Sequence, residues 1–432
     1  NNPDPIYNFN SFPPAYIFNA CSWSQNGLYI ALAEGLITSA QQTNTCSIYN
    51  FDPLTGAVDS TPTLLHFYDQ GEEPRDMETN SVAWHPKGRY LAVGGGQNDD
   101  LGNVYAFLFD QNTGGYLGRM PEPLAFNSPV TDCAWTGDGG YLAVAQKNNR
   151  LSIRPFNAET GSFDPASSDD TDSAISLAWS PDDNYLATFN NAGILSIYRF
   201  NPIVGTIFKT FQDTAGNIVS VSWHPSGNII AVGRKNTSPD EVIVETRTFD
   251  SKTGTIGIIK TQETFSNKQF IRVRFSPDGN CLAVAYGNDS FEDTNVNIYG
   301  VAFDGSLDII TDFTLPNRHA TNFNWSPDMK YISVCGESED TSGFAAIYNP
   351  FRSPISCVIE NNSINFTNAN THGVGIEGEN VGNTVIRNTA NGNKLNYGYA
   401  LQHIISGYNG TLNNSLDNVS IPRQKNSPLT FQ

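Results

Sequence analysis

The chain has 432 residues, of which 39% are hydrophobic and only 16% charged, a balance that suits packed globular structure and excludes coiled coils and charged disordered tails. Asp and Glu number 43 against 24 Lys and Arg, a formal charge of −19, which argues against the basic footprint of a nucleic-acid binder. No run approaches the ~18 consecutive apolar residues that a membrane-spanning helix needs.

Asn is abundant, at 48 residues, and the six cysteines form neither a CxxC pair nor a zinc spacing. The chain opens at Asn1 with no basic region and apolar core behind it, so a leader removed by processing and a trimmed chain are both open alternatives. The expected location is extracytoplasmic: secreted, periplasmic or at the cell surface.

In chain order, the first element is the short apolar-polar segment Pro5–Asn10 (PIYNFN). It is followed by seven copies of one phrase: CSWSQNGLYIAL, VAWHPKGRYLAV, CAWTGDGGYLAV, LAWSPDDNYLAT, VSWHPSGNIIAV, VRFSPDGNCLAV and FNWSPDMKYISV. Trp23, Trp84, Trp135, Trp179, Trp223 and Trp325 anchor six copies, Phe275 anchors the other, and the period is about 50 residues. Seven residues after the aromatic stands Leu or Ile; eight after stands Ala, except for Ser333. Alternation places the aromatic and the apolar residue two before it on one strand face. Pro, Asp and Gly or Asn then turn the chain into a second strand.

A second phrase follows in six of the seven units. Phe51-Asp52 with Thr55-Gly56, Phe109-Asp110 with Thr113-Gly114, Phe156-Asn157 with Thr160-Gly161 and Phe249-Asp250 with Thr253-Gly254 read as strand three, an Asx-stabilised turn and strand four. Phe200-Asn201 and Phe303-Asp304 are weaker versions. Four short strands per unit, seven times over, predict an all-β, seven-bladed β-propeller across residues 1–352. Residues 5–10 precede the first phrase much as Pro123–Asn127 precede Trp135, and are expected to close the last blade. Residues 353–432 break the pattern: 16 Asn punctuate short Val- and Ile-containing runs, which predicts a small Asn-rich β-solenoid-like region resembling a parallel β-helix, with three or four rungs of ~20–24 residues.

The repeated phrases resemble WD40-like seven-bladed propellers, without the Trp-Asp and Gly-His dipeptides of typical WD40 repeats. The F-D-x-x-T-G turn is similar to that of lactonase-like propellers. The resemblance implies a fold and leaves the function to be argued from sites.

Few residues carry chemistry. The GxGxxG at Gly373–Gly378 leads into a strand-and-turn pattern instead of a helix, so it reads as turning rungs. His85 and His224 follow the repeat aromatic and read as turn residues. His66, His319, His372 and His403 are scattered, and no GxSxG elbow or P-loop occurs. Cys21, Cys133 and Cys281 occupy apolar strand positions, whereas Cys335 and Cys357 flank the junction to the tail and form the one pair to test for a disulfide. Acidic residues concentrate between strands two and three and between blades. Asp99, Asp100, Asp240, Glu241, Glu337, Glu339 and Asp340 mark an expected interaction face, and Asp289, Glu292 and Asp293 are the densest oxygen cluster, the only weak candidates for Ca²⁺.

Two functions are expected from these features. The first is a non-enzymatic interaction or structural protein, with a protein partner or self-association through the C-terminal region as in a surface or filament subunit, and no cofactor. The alternative is a lactonase-like hydrolase with its site at the central channel.

Overall fold

The computed structural model describes residues 4–9, 16–36, 45–66, 78–97, 101–110, 115–120, 123–147, 150–170, 174–288, 293–338 and 343–351, together with the backbone of seven short strands beyond Val358. Every regular element among the described residues is a β-strand, and no helix is long and apolar enough to cross a membrane. The chain divides into two compact units, Asn1–Tyr348 and Asn349–Gln432.

The first unit is a ring of seven antiparallel sheets, six of them built from consecutive strands. Blade 1 contains Tyr16–Trp23, Tyr29–Leu36, Thr45–Asn50 and Thr63–His66; blade 5 contains Ile218–Trp223, Ile229–Thr237, Asp240–Asp250 and Thr255–Ser266. In blades 2 and 3 the fourth strand is split, as Tyr116–Arg119 and Leu124–Phe126 and as Ser162–Phe163 and Ser168–Asp170. The small residue eight after the aromatic lies mid-sheet: Ala31, Ala92, Ala143, Ala187, Ala231 and Ala283 are fully buried where neighbouring blades press together.

The repeat aromatics also form the joints between blades. The indole N–H of Trp135 donates to Ala83 O (3.0 Å), Trp179 to Ala134 O (3.1 Å), Trp223 to Ala178 O (2.9 Å) and Trp325 to Arg274 O (3.2 Å), each reaching the preceding blade. At the ring closure the connection passes through Ser333. Trp23 donates to Ser333 Oγ at 3.0 Å, and that hydroxyl lies 3.2 Å from Asn324 O. The single Ser among six Ala is thereby explained.

The Tyr of strand two and the Thr-Gly turn form a second joint. Tyr185 Oη donates to Ser251 O in the next blade (2.7 Å), Tyr141 to Pro202 O (2.9 Å) and Tyr90 to Ala158 O (3.1 Å). Gly254 is required there twice over: its φ is +72°, and a Cβ would stand 2.7 Å from the Tyr185 ring. The turns are Asx-stabilised, with Asp250 Oδ1 accepting from Lys252 N and Oδ2 from Thr253 Oγ1 at 2.9 Å each.

Tyr7–Phe9 supplies the fourth strand of blade 7, pairing antiparallel with Gly343–Tyr348 in the register Tyr7↔Ile347 to Phe9↔Ala345. Phe9 is buried and its ring meets Tyr49 of blade 1 edge-on, with centroids 4.6 Å apart. Chain from both ends thus completes one blade.

In the second unit, Val358–Glu360 pairs in parallel with Thr384–Ile386, and Ser363–Asn365 with Asn388–Asn391, both at an offset of 26 residues. That is one rung of a solenoid. Thr411–Asn414 then pairs antiparallel with Asn388–Asn391, and Lys394–Asn396 with Ser406–Tyr408, so among the described residues the parallel pairing goes no further. The Gly373–Gly378 run, His372 and His403 lie outside the described residues.

Candidate functional site: the central channel

Strand one of every blade faces a common bore of about 720 Å³, lined from Asn19 and Asn80 at one end to Gln25, Pro86 and Gly137 at the other. The lining includes positions one and three residues before the repeat aromatic. At the first the bore is lined by Ser22, Ala83, Ala134, Arg274 and Asn324, with Ala178 and Ser222 at the equivalent sequence positions of blades 4 and 5; at the second it is lined by Ala20, Ser81, Asp132, Ser176, Ser220, Arg272 and Asn322. Most are small, which lets seven strands converge. Blade 3 departs with an acid and blade 6 with two arginines.

The small hydroxyls here are structural. Ser81 Oγ accepts from Cys133 N (3.0 Å), Ser220 Oγ from Val273 N (3.0 Å) and Ser222 Oγ from Phe275 N (3.1 Å), so each stitches strand one of one blade to the next. Asp132 extends the same device. Its Oδ2 accepts from Leu177 N (2.9 Å) and Ser176 Oγ (3.1 Å), and its Oδ1 from Cys133 N (2.9 Å) and Ser81 Oγ (3.1 Å). Burial pushes the Asp132 carboxyl above its usual range, and these bonds only partly oppose that. Arg272 is likewise committed, with Nε donating to Thr321 O and a terminal nitrogen to Ile271 O, both at 3.0 Å.

Arg274 is different. Protein surrounds it, yet the solvent of the bore reaches its side chain. Among the described residues its guanidinium donates no hydrogen bond; it interacts only through space with Cys21 and Asp132. The repeat pattern was the available signal: the aromatic phrase reads VRF in one copy, where a large cation replaces Ala, Ser or Asn.

Cys21 lies between blades 1 and 7, its sulfur 3.3 Å from Ser333 Oγ. A hydrogen bond from Cys335, together with Ser333 and the field of Arg274, holds the Cys21 thiol below its ordinary value against the opposing effect of burial, and burial drives Cys335 upward. Cys335 is a free, buried thiol in the sheet of blade 7, and Cys357, the other member of the pair to test, lies outside the described residues. Strand two carries Cys335 into the blade core, away from the chain junction. Cys21, Cys133 and Cys281 are also free and buried.

His85 and His224 are joints on the rim formed by the strand one–two turns. His85 Nδ1 accepts from Lys87 N (3.1 Å), so its Nε2–H faces Gly139 O (3.1 Å) of the next blade; His224 Nδ1 accepts from Ser226 N (3.0 Å) and its Nε2 faces Gly279 O (2.9 Å). Burial lowers both pKa values, with the backbone carbonyls opposing. The unfolded chain therefore takes up protons near pH 6.5 that the folded ring refuses. This part of the stability is fully present above that pH and is lost as pH falls below it. The urea midpoint is expected to fall between pH 7 and 5.5, and to fall less steeply in a His85→Gln/His224→Gln variant. Equal slopes would show that neither imidazole is held neutral by the fold.

Of the expected interaction face, Asp240, Glu241 and Glu337 are described; Asp99, Asp100, Glu339 and Asp340 lie outside the described residues. Asp240 and Glu241 open strand three of blade 5, where Glu241 Oε1 accepts from Asn236 Nδ2 at 2.8 Å. Glu337 is in blade 7, opposite His319 in the sheet register, with its carboxyl pushed up by partial burial. Blade 6 separates the two groups. Asp289 and Glu292 also fall outside the described residues, while Asp293 Oδ1 accepts from Asn317 N at 3.1 Å. Among the described residues no three His, Cys, Asp or Glu side chains are grouped for a metal. One further charged cluster joins blades 4 and 5: Arg234 and Arg247 of blade 5 both contact Asp213 of blade 4 (2.6 and 3.4 Å) and Glu245 of blade 5 (3.2 and 2.7 Å), and so are mutually satisfied.

Residues 177–255, most of blades 4 and 5, match the family model of the anaphase-promoting complex subunit 4 WD40 domain. Among solved structures, a chain of the "Crystal Structure of Mitotic Checkpoint Complex" is similar at 17% identity and a TM-score of 0.56, covering 81% of this chain and 92% of that one. The β-propeller domain of Cps50 (Swd1) from Myceliophteria thermophila is similar at 15% identity and a TM-score of 0.52, covering 79% and 99%. The first unit has the WD40-like seven-bladed propeller fold. No curated protein sequence matches the chain. In this WD40-like ring the Trp-Asp dipeptide is absent, and indole-to-carbonyl and Tyr-to-turn bonds join the blades.

Proposed function

We propose that this protein is a non-enzymatic, extracytoplasmic interaction platform whose WD40-like ring receives a protein partner and whose Asn-rich C-terminal unit pairs copies of the chain. The observation that carries the reading is the rigidly jointed ring. Its blades are bonded to one another through strand one and through the turns of one rim, and the reading places the partner at the opposite rim. Two of the similar proteins are described, in name or title, as parts of multiprotein complexes, which supports the same use here. Among the described residues the strands of the second unit form sheets of only two or three strands, and the edges of short sheets invite pairing with another chain. The acidic, Asn-rich composition motivates the location, and the reading invokes no cofactor.

Light scattering of the full chain and of a truncation ending at Ser353 tests the proposal. The full chain should be oligomeric and the truncation monomeric, with the oligomer insensitive to salt because backbone pairing is screened little. A monomeric full chain, or a truncation that still assembles, would remove the C-terminal unit from the interface. Turnover in a lactone screen would favour the hydrolase reading instead.

A further inference from the structure

We propose that Arg274 anchors a carboxylate-binding site in the central channel, filled by one acidic group of a partner peptide whose neighbouring residues are basic or neutral. The inference rests on the reading of the ring as an interaction platform and names the chemistry of one contact. Lining positions that are small in most blades carry two arginines in blade 6. Arg272 is used by the fold, bonding Thr321 O and Ile271 O, whereas the Arg274 guanidinium donates to nothing among the described residues. Five N–H donors in a rigid fork, enclosed by protein but open to the bore, match a planar carboxylate. Enclosure strengthens the attraction relative to open water.

The surroundings set the charge the site accepts. Asp132 acts on Arg274 through space and is fully engaged in joining blades 3 and 4, so it stays in place when a ligand enters. Its presence favours a singly charged group over a multiply charged one. Asn322, Asn324 and Ser22 line the same bore and offer neutral donors to a second oxygen. The whole chain carries −19, so a wholly acidic partner is repelled before it arrives. A single carboxylate flanked by basic residues satisfies both fields.

Titration calorimetry on the full chain tests the site. One probe is a short amidated peptide of Lys, Ser and Gly with a central Glu; its control has Gln at that position. A second pair lacks the internal acid and ends in a free carboxylate or an amide, which distinguishes a side-chain from a C-terminal source. At least one carboxylate peptide should bind about tenfold or more tightly than its neutral control. Arg274→Gln should abolish that preference, and Arg274→Lys should reduce it while keeping the charge. Urea midpoints of both variants, measured alongside, report the fold. Equal binding within both pairs, no binding of any peptide at millimolar concentration, or a preference that survives in Arg274→Gln overturns the proposal. None of these results alters the oligomer mass that tests the platform reading.

Discussion

Replacing Trp223 by alanine is expected to destabilise the ring by ~3–5 kcal/mol, read as a lowered urea midpoint. The indole is buried, its ring meets Phe249 edge-on with centroids 4.6 Å apart, and its N–H holds Ala178 O of the neighbouring blade. Truncation leaves a cavity and an unpaired carbonyl at the same joint. A gentler pair of variants separates the two effects. Trp223→Phe keeps much of the volume but loses the bond, and should cost about 1–3 kcal/mol. Trp84→Phe should cost less, because the buried Trp84 Nε1 has no partner among the described residues and its removal relieves an unsatisfied donor. Similar losses for the two Phe variants would show that the indole bonds contribute nothing to blade cohesion. A wild-type midpoint for Trp223→Ala would remove these tryptophans from the core.

Deleting residues 1–9 is expected to abolish cooperative unfolding of the propeller. The deletion removes the fourth strand of blade 7 and, with it, the pairing of Tyr7, Asn8 and Phe9 with Ile347, Ala346 and Ala345 and the bond from Ile6 N to Ile347 O. It also empties the place of Phe9, whose core includes Trp23, Tyr49, Phe51 and Tyr331 from the two blades at the closure. An open ring exposes a strand edge and loses a joint on which the other six depend for closure. Phe9→Ala, which keeps the backbone pairing, should lose ~3–5 kcal/mol and remain cooperative. Circular dichroism during urea unfolding reads both. A deletion variant with the wild-type transition would mean that the ring closes without its N-terminal strand.

The repeat made most of the fold legible because its chemistry is local. Trp or Phe, the Pro-Asp-Gly turn, the small residue eight positions on and the Asx-Thr-Gly turn each satisfy a requirement of the hairpin in which they sit, so seven copies count seven blades. The N-terminal strand was readable by analogy with the segment before Trp135. The tail was readable only as Asn-punctuated β-structure, since runs of three or four residues do not specify whether the next strand returns parallel or antiparallel.

The sequence by itself determined the all-β class, the number of blades, the role of His85 and His224 as turn residues and the apolar burial of Cys21 and Cys133. The tertiary structure alone decided what meets across blades. Neighbouring blades bring together residues about 50 apart, and the closure brings together residues about 300 apart, so no local pattern encodes which groups touch. The closure sets Ser333 beside both Trp23 and Cys21. The same convergence turns one position of each strand into the wall of a single bore, where Arg272 and Asp132 are absorbed by neighbouring blades and Arg274 is left with its hydrogen-bond donors facing the channel.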